Sequence, residues 1–492
     1  MKALVLHPAD NVAVAVTDIE MGAPIGAGVL RASEKIPQGH KVALRTLARG
    51  ENVIKYGFPI GHVSAESIEA GRHVHVHNLK TNLHDKTAYT YEKRDCALPA
   101  HPPGSFDGYR RGDGRAGIRN EIWVLPTVGC VNGVAARLAH ENQDLVRHGL
   151  EGLYAFPHPF GCSQLGDDHA LTRKTLASLA KNPNAAGVLF VALGCENNTL
   201  DGLKAELGDF DESRIKFMCC QEVADEHRAG RALLEALSAN AYTARRERLP
   251  VSALTVGLKC GGSDGLSGVT ANPVVGAFSD MLIAQGGSAV LTEVPEMFGA
   301  ESILMNRCAD EATFRKTVAM IRDFKAYFIR HGQVIYENPS PGNKEGGLST
   351  LEDKSLGCIQ KGGHAPVTDV VVPGAQVTTR GLTLLGGPGN DLVSTTLLTA
   401  AGAQMILFTT GRGTPFGAPV PTVKISTNTR LFTEKPQWID FDAGRVVAGG
   451  HISEIARELY AFVLDTASGR AQTRNEAGRY REIALFKDGV IL

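Results

Sequence analysis

EIWVLPTVGC (121–130) runs directly into VNGVAARLAHENQDLVRHG (131–149), and the reading of this passage decides the fold. The first half is an apolar run of strand length that ends in a Gly-containing turn and a cysteine. The second half carries apolar residues at helical spacing. The same strand-to-cysteine junction recurs in GLYAFPHPFGC (152–162), GVLFVALGC (187–195) and LTVGLKCGG (254–262). Strands that alternate with helical segments such as HALTRKTLASLAKNP and EVADEHRAGRALLEALSANA predict parallel βαβ units. In open α/β sheets, ligands bind beyond the carboxyl ends of the strands. A single free cysteine is often just a small buried residue. Four of them in one structural context, Cys130, Cys162, Cys195 and Cys260, point instead to a shared thiol-rich site for a soft or borderline metal.

On the N-terminal side of this block, residues 1–95 read as short strands with little helix. NVAVAVTDI, HKVALRTLA and NVIKYGFPIG are broken by Gly or Asn, as a small, mostly β module requires. CALPAHPPGSFDG (96–108) is rich in Pro, Gly and small residues and is expected to be an extended linker. On the C-terminal side, the charged stretch TARRERLP (243–250) separates the first α/β block from a second. That second block contains TVGLK, the helix PVVGAFSDMLIAQGG, the strand SAVLTEV, a long helix in DEATFRKTVAMIRDFKAYFIRHG, the strands LTLLGG and QMILFTTG, and a last helix in ISEIARELYAFVLDTASG.

At 492 residues with 43% hydrophobic and 21% charged residues, the chain is of soluble globular type and long enough for two or three domains. A net charge of −1 without a long basic block argues against nucleic acid or an anionic membrane as partner. No stretch approaches the ~20 apolar residues of a membrane helix. The opening MKALVLHPADNVAVAV reads as a first strand and not as a signal peptide. Nine dispersed cysteines with no C-x-x-C pair suit reduced thiols in a cytoplasmic enzyme.

The junctions carry further chemistry. Cys162 is followed by Gln164, Asp167, Asp168 and His169, Cys195 by Glu196, Asn197 and Asn198, and Cys260 by Ser263 and Asp264. SAVLTEV ends in Glu293, with Glu296 three residues on. TTGRGTP places Thr410, Arg412 and Thr414 at the same predicted edge, where a guanidinium fork suits a carboxylate. NPSPGNKEGG (338–347) brings Asn343 and Lys344 on a long restricted loop. The N-terminal module offers His40 with Lys41, and HVHVHN (73–78). Histidines that alternate along a strand share one face, which is either a metal site or a solvated surface. A Walker sequence and H-E-x-x-H are absent, and neither TTGRGTPFG nor CGGSDG matches G-x-G-x-x-G, so nucleotide-driven and nicotinamide chemistry are not expected.

DNVAVA, GHKVAL, NVIKYGFPIG and HVHVHN resemble the N-terminal SAF module of sugar-acid dehydratases. GYRRGDGRAGIRNEIWVLPTVGCVNG, FGCSQLGDDH, ALGCENN, GLKCGGSDGLSGVTANP, LTEVPEMFGAE, NPSPGNKEGG and FTTGRGTPFG resemble the altronate and galactarate dehydratase family over essentially the full length, with IKYGFPIG and CENN nearer the altronate branch. The resemblance implies an α/β fold: a small SAF domain (1–95), a linker (96–107) and two α/β domains with largely parallel sheets (108–250 and 251–492). It further implies dehydration of D-altronate to 2-dehydro-3-deoxy-D-gluconate in hexuronate catabolism, assisted by Fe2+ as a mononuclear ion or in an iron–sulfur cluster. Galactarate or another sugar acid is the alternative substrate. A carbohydrate-binding protein that does no chemistry is the alternative class.

On that reading the metal ligands come from Cys130, Cys162, Cys195 and Cys260, with His40 and His75 in addition. Cys358 ranks lower. Arg412, with Thr410 and Thr414, would clamp the carboxylate. Asn343, Asp264 and Lys41 would bind the rest of the substrate. Lys344 or His169 would be the base, and Glu296 the acid for the departing hydroxyl. The expected partners are a small sugar acid and further copies of the same chain.

Overall fold

The computed structural model describes residues 2–26, 29–83, 88–336 and 338–489. Among the described residues before 84, the chain forms only short antiparallel strands. Ala3–Leu4, Val12–Ala15, Lys41–Ala43 and His73–Val74 make one sheet, and Asn52–Lys55, Phe58–Val63 and Leu79–Lys80 another. Residues 88–104 adopt neither helix nor strand. They are held against the body by Tyr91, whose hydroxyl donates to Cys308 O at 2.6 Å, and by Arg94 N donating to Asn306 O at 2.8 Å. Regular structure resumes at Ser105–Arg110. The charged stretch expected to act as a separator is itself a strand, Arg246–Pro250, antiparallel to Ser105–Arg110. Its Leu249 is buried while Glu247 and Arg248 are exposed, so charge on the solvent face hides an ordinary edge strand.

Two parallel sheets follow. The first has the order Gly152–Ala155, Glu121–Pro126, Ala185–Ala192, Ile215–Cys219. All eight residues of Ala185–Ala192 are buried, the continuous apolar run of a strand covered on both faces. The second is seven-stranded: Val367–Val371, Gly381–Leu385, Ser288–Leu291, Thr255–Cys260, Met405–Thr410, Thr422–Ser426 and Phe441–Asp442. All their pairings are parallel. In each sheet the first strand lies inside, and the chain builds one side before crossing to the other. This creates a topological switch point, between Glu121–Pro126 and Ala185–Ala192 in one sheet and between Thr255–Cys260 and Met405–Thr410 in the other. Such points open a crevice at the carboxyl edge.

Helix Glu226–Ala241 starts where Asp225 accepts from the amides of His227 and Arg228, and Glu311–Arg330 where Asp310 accepts from Thr313 N; both are N-caps. The two α/β blocks are tied by buried bidentate pairs, Arg119 with Glu476 and Arg481 with Glu121. One apolar core joins Val12, Val53 and Ile60 of the β module to Val294, Met297 and Leu351 of the seven-stranded domain. Among the described residues no helix is long and apolar enough to cross a membrane.

Candidate active site

The four junction cysteines do not meet in one cavity. Cys130, Cys162 and Cys195 are exposed at the edge of the four-stranded sheet, whereas Cys260 is buried at the end of a strand in the seven-stranded sheet. The reason is topological: each sheet has its own switch point, and the repeated sequence pattern marks both.

At the first edge each cysteine follows a glycine. A Cβ on Gly161 (φ +105) would stand 2.1 Å from Thr127 O, and one on Gly194 (φ +128) 2.7 Å from the Gln221 side chain. The turns are laced together: Gly129 N donates to Phe160 O at 2.9 Å, Asn198 N to Gly161 O at 3.0 Å, and Asn198 Nδ2 to Thr127 O at 3.0 Å. Burial opposes charge on Glu196. Its bonds from Thr127 Oγ1 (2.6 Å) and the amides of Gly194 and Leu193 nevertheless hold its pKa below the usual carboxylate range.

His158 braces the same edge. Its Nε2 meets Pro126 O at 2.8 Å, and its Nδ1 accepts from Phe160 N at 3.2 Å. Nδ1 must therefore be unprotonated, and burial pulls the pKa from 6.5 to about 4. A depressed histidine pKa means that the unfolded chain binds the extra proton, so its contribution is complete above pH 6.5 and is lost as pH falls towards 4. The expected loss is about 1.4 kcal/mol per pH unit in that window. Urea midpoints of the parent chain and of His158→Gln between pH 7 and 5 check it, and equal slopes would refute it.

The seven-stranded edge carries a buried charged nest. Cys260 Sγ lies 3.4 Å from Cys358 Sγ, and both sulfurs lie 3.1 Å from Glu296 Oε2. Lys259 pairs with Glu293 and, at 2.8 Å, with Asp391; Lys354 pairs with Glu296 at 2.8 Å and Lys361 with Glu293 at 3.2 Å. Burial favours the neutral form of both glutamates. In Glu293, which is held in a left-handed backbone (φ +71), burial and the neighbouring Glu296 charge prevail and the pKa rises. In Glu296 the ammonium groups of Lys354, Lys259 and Lys361 outweigh burial and keep it ionised. The acid role expected of Glu296 therefore suits it poorly, since an ion-paired carboxylate has no proton to give at neutral pH.

A cavity of about 460 Å³ is lined by Gly39, Asp264, Glu345, Gly346, Arg412 and Asn428. The half-exposed Arg412 donates to Glu345 Oε2 at 3.1 Å. Lys344 lies next to Glu345, on the short helix Pro341–Glu345. Asn343 is committed elsewhere: its Nδ2 donates to Ser263 O at 2.8 Å and its Oδ1 accepts from Lys354 at 3.2 Å. Asp264 accepts from Thr427 and Ser267 and so joins two loops. Thr410 accepts from Gly413 N, and Thr414 from Phe416 N, so both shape the turn around Arg412. His169 stands at the other edge, 3.0 Å from Arg173.

Lys41 is not available to a substrate. It is completely buried, and its ammonium donates to Asp353 Oδ2 and Gly347 O, both at 2.8 Å.

The β module lines the cavity with Gln38 and Gly39, and next to Gly39 His40 belongs to a cluster of three imidazoles. His40 Nδ1 is 2.9 Å from His73 Nε2, and His40 Nε2 is 3.1 Å from Glu345 O. The His75 ring lies 4.9 Å from His40 and 5.3 Å from His73, and its Nδ1 is buried without a hydrogen-bond partner. The strand here is only His73–Val74. A turn braced by Asn78, which accepts from His75 N and donates to His73 O, keeps the histidines together. Burial foremost lowers His73 and His75 to about 3, so both are neutral and able to bind a cation. One nitrogen from each of the three lies within 4.8 Å of the others, as do the donor atoms of Cys260, Glu296 and Cys358.

His73 was legible only as part of the HVHVHN pattern and Cys358 only as a lower-ranked ligand, since Cys358 lies at a helix end and not at a strand junction. The three lysines carried no site signal, each standing singly and far in sequence from its carboxylate partner.

Family models match along the chain: the altronate/galactarate dehydratase SAF domain at residues 1–82, the D-galactarate dehydratase/altronate hydrolase second domain at 108–242, and the D-galactarate/altronate dehydratase C-terminal domain at 251–491. The altronate dehydratase of Bacillus subtilis (strain 168) is 52% identical over 495 residues, covering 99% of each chain. The chain belongs to the altronate and galactarate dehydratase family. The Escherichia coli (strain K12) altronate dehydratase is 50% identical over all of both chains. The L-threo-forming galactarate dehydratase of the same organism is 32% identical, covering 98% of this chain and 96% of that one. Membership of this family makes the chain a carbon–oxygen hydro-lyase of sugar acids.

Proposed function

We propose that the chain dehydrates D-altronate to 2-dehydro-3-deoxy-D-gluconate in the crevice beneath Arg412, with a ferrous ion held by His40, His73 and His75. The observation that carries this reading is that Arg412 at the second switch point pairs with Glu345, whose carbonyl lies 3.1 Å from His40 of a three-imidazole cluster. The donor set fits the ion: imidazole is a ligand for ferrous iron, and the orphaned His75 nitrogen is a buried polar atom that a cation would satisfy. Bound there, the ion would act as a Lewis acid on a substrate oxygen.

The protein groups have distinct tasks. Arg412 takes the substrate carboxylate in place of Glu345, a like-for-like exchange that needs no new charge in the crevice. Glu345, released from its partner, stands beside Lys344 as the base for the C2 proton.

Arg430 also lines the cavity. It is paired with Glu434 on its own helix at 2.8 Å, and as a second guanidinium in the lining it favours a second carboxylate, as in galactarate. Rates of 2-keto acid formation from altronate and galactarate, under reducing conditions with ferrous iron, decide between them. No product from either would remove the reading altogether. Arg412→Met is expected to raise KM roughly 100-fold with a smaller change in kcat, because a charge-assisted bond contributes ~1.5–3 kcal/mol. An unchanged KM would place the carboxylate elsewhere.

A further inference from the structure

We propose that hydrogen peroxide joins Cys260 and Cys358 in a reversible disulfide, and that this bond switches the crevice off. The cross-link stands apart from the dehydration reading; only its effect on rate rests on that reading.

The two thiols belong to elements far apart in the chain. Cys260 ends the strand Thr255–Cys260, and Cys358 ends the helix Leu351–Cys358. Two glycines let these ends meet. A Cβ on Gly268 would stand 2.7 Å from Gly357 Cα, so a side chain there would push the helix end away. Gly357 O also accepts from Asn272 Nδ2 at 3.0 Å, and Asn272 Oδ1 accepts from Thr409 Oγ1 at 2.7 Å. The helix end is thereby tied to the neighbouring strand Met405–Thr410 as well. The Sγ–Sγ separation that results is 3.4 Å. A bond of ~2.05 Å needs the sulfurs to close by about 1.4 Å in all, within reach of small side-chain rotations.

A cation is the competing occupant, since Glu296 Oε2 lies 3.1 Å from both sulfurs. The charge already present argues against it. The ammonium groups of Lys354, Lys259 and Lys361 outweigh burial at Glu296, and Lys354 pairs with it at 2.8 Å. A divalent ion would stand against three buried positive charges. Cationic neighbours instead favour the attack of a thiol on an oxidant. Asp391, a third exposed and 2.8 Å from Lys259, marks the side on which the nest meets solvent.

Oxidation acts on the crevice through both partners. Each thiol donates to Glu296 Oε2, and a disulfide has no S–H, so that oxygen loses both donors. Cys260 leads into the turn of Ser263, whose carbonyl accepts from Asn343, and of Asp264, which lines the cavity. Cys358 closes the helix whose Asp353 holds Lys41 and Lys55 of the β module. Drawing the sulfurs together therefore moves the cavity wall against the module.

One thiol attacks the peroxide O–O bond and becomes a sulfenic acid, releasing water. The other displaces the sulfenic hydroxyl as a second water. Two electrons pass from sulfur to oxygen, and both thiol protons leave in the waters. A dithiol reductant reverses the bond by exchange.

The test uses the full chain, reduced, stripped of metal by a chelator, treated with hydrogen peroxide, alkylated and digested. Peptides joined through Cys260 and Cys358, about 2 Da lighter than the two apart, are expected, and dithiothreitol should separate them. With fresh ferrous iron, 2-keto acid formation from altronate should fall about a hundredfold in the oxidised chain, the scale of an ångström-sized misplacement. Dithiothreitol should restore it, and the reversible loss should be absent in Cys358→Ala. The peptide map of the parent chain needs no variant. If Cys130 is oxidised and no Cys260–Cys358 peptide forms, or if the linked chain keeps its rate, the proposal is overturned. A reduced chain that forms no product removes the dehydration reading instead, and the linked peptide alone then decides whether the site exists.

Discussion

Asp353→Asn is expected to remove about 3–5 kcal/mol of unfolding free energy, the cost of stranding buried charge. Asp353 is fully buried, and its two carboxylate oxygens meet Lys41 at 2.8 Å and Lys55 at 2.9 Å, both lysines also buried. Burial opposes charge on all three. The two ammonium groups outweigh it at Asp353 and hold its pKa well below the ordinary range, while burial prevails at Lys41, whose pKa falls. The lysines belong to the β module, and Asp353 to helix Leu351–Cys358 of the seven-stranded domain. The substitution therefore strikes the joint between them. Urea denaturation followed by far-UV circular dichroism measures the effect, and a loss under about 1 kcal/mol would mean that the joint relaxes. Replacing the whole trio with apolar residues, Lys41→Met/Lys55→Met/Asp353→Leu, should recover most of the stability, because the desolvation cost then disappears with the charges.

His73→Ala/His75→Ala is expected to lower the dehydration rate about a thousandfold, of the order of the several kcal/mol a Lewis acid supplies to a transition state. Manganous ion, whose binding is read directly by electron paramagnetic resonance, is the probe of this site. One manganous ion per parent chain by electron paramagnetic resonance titration, and none in the double variant, is the expected pair of results. A variant that keeps its manganous site and a rate within about tenfold of the parent would take the ion away from the histidines. The substitution leaves the His40 contact with Glu345 O in place, so a fall in rate would not be ascribed to loss of the loop that carries Lys344.

Much of this protein was legible in its sequence because the signals are local. A run such as GVLFVALGC reads as a strand and its turn from composition alone, and the four Gly–Cys or Lys–Cys junctions all lie at the ends of strands or in the turns that follow them. The histidine pattern in HVHVHN predicted side chains on one face, and His73 and His75 do stack, although a two-residue strand and an Asn78-braced turn produce the arrangement. The antiparallel module and the two parallel sheets followed from alternation and βαβ order.

What only the tertiary structure decided concerns partners distant in the chain. Strand order assigned three cysteines to one switch point and the fourth to another, a division that the strand-to-cysteine pattern present at both does not reveal. Burial turned Lys41 from a candidate substrate ligand into half of a structural ion pair, since a lysine beside an exposed-looking histidine carries no sign of an aspartate 312 residues away. Cys358 became a neighbour of Cys260 because a helix end packs against a strand end 98 residues earlier. Sequence specifies which backbone each residue adopts through short-range sterics and periodicity. Which charges lose their water is settled only when the sheets and the β module close on one another.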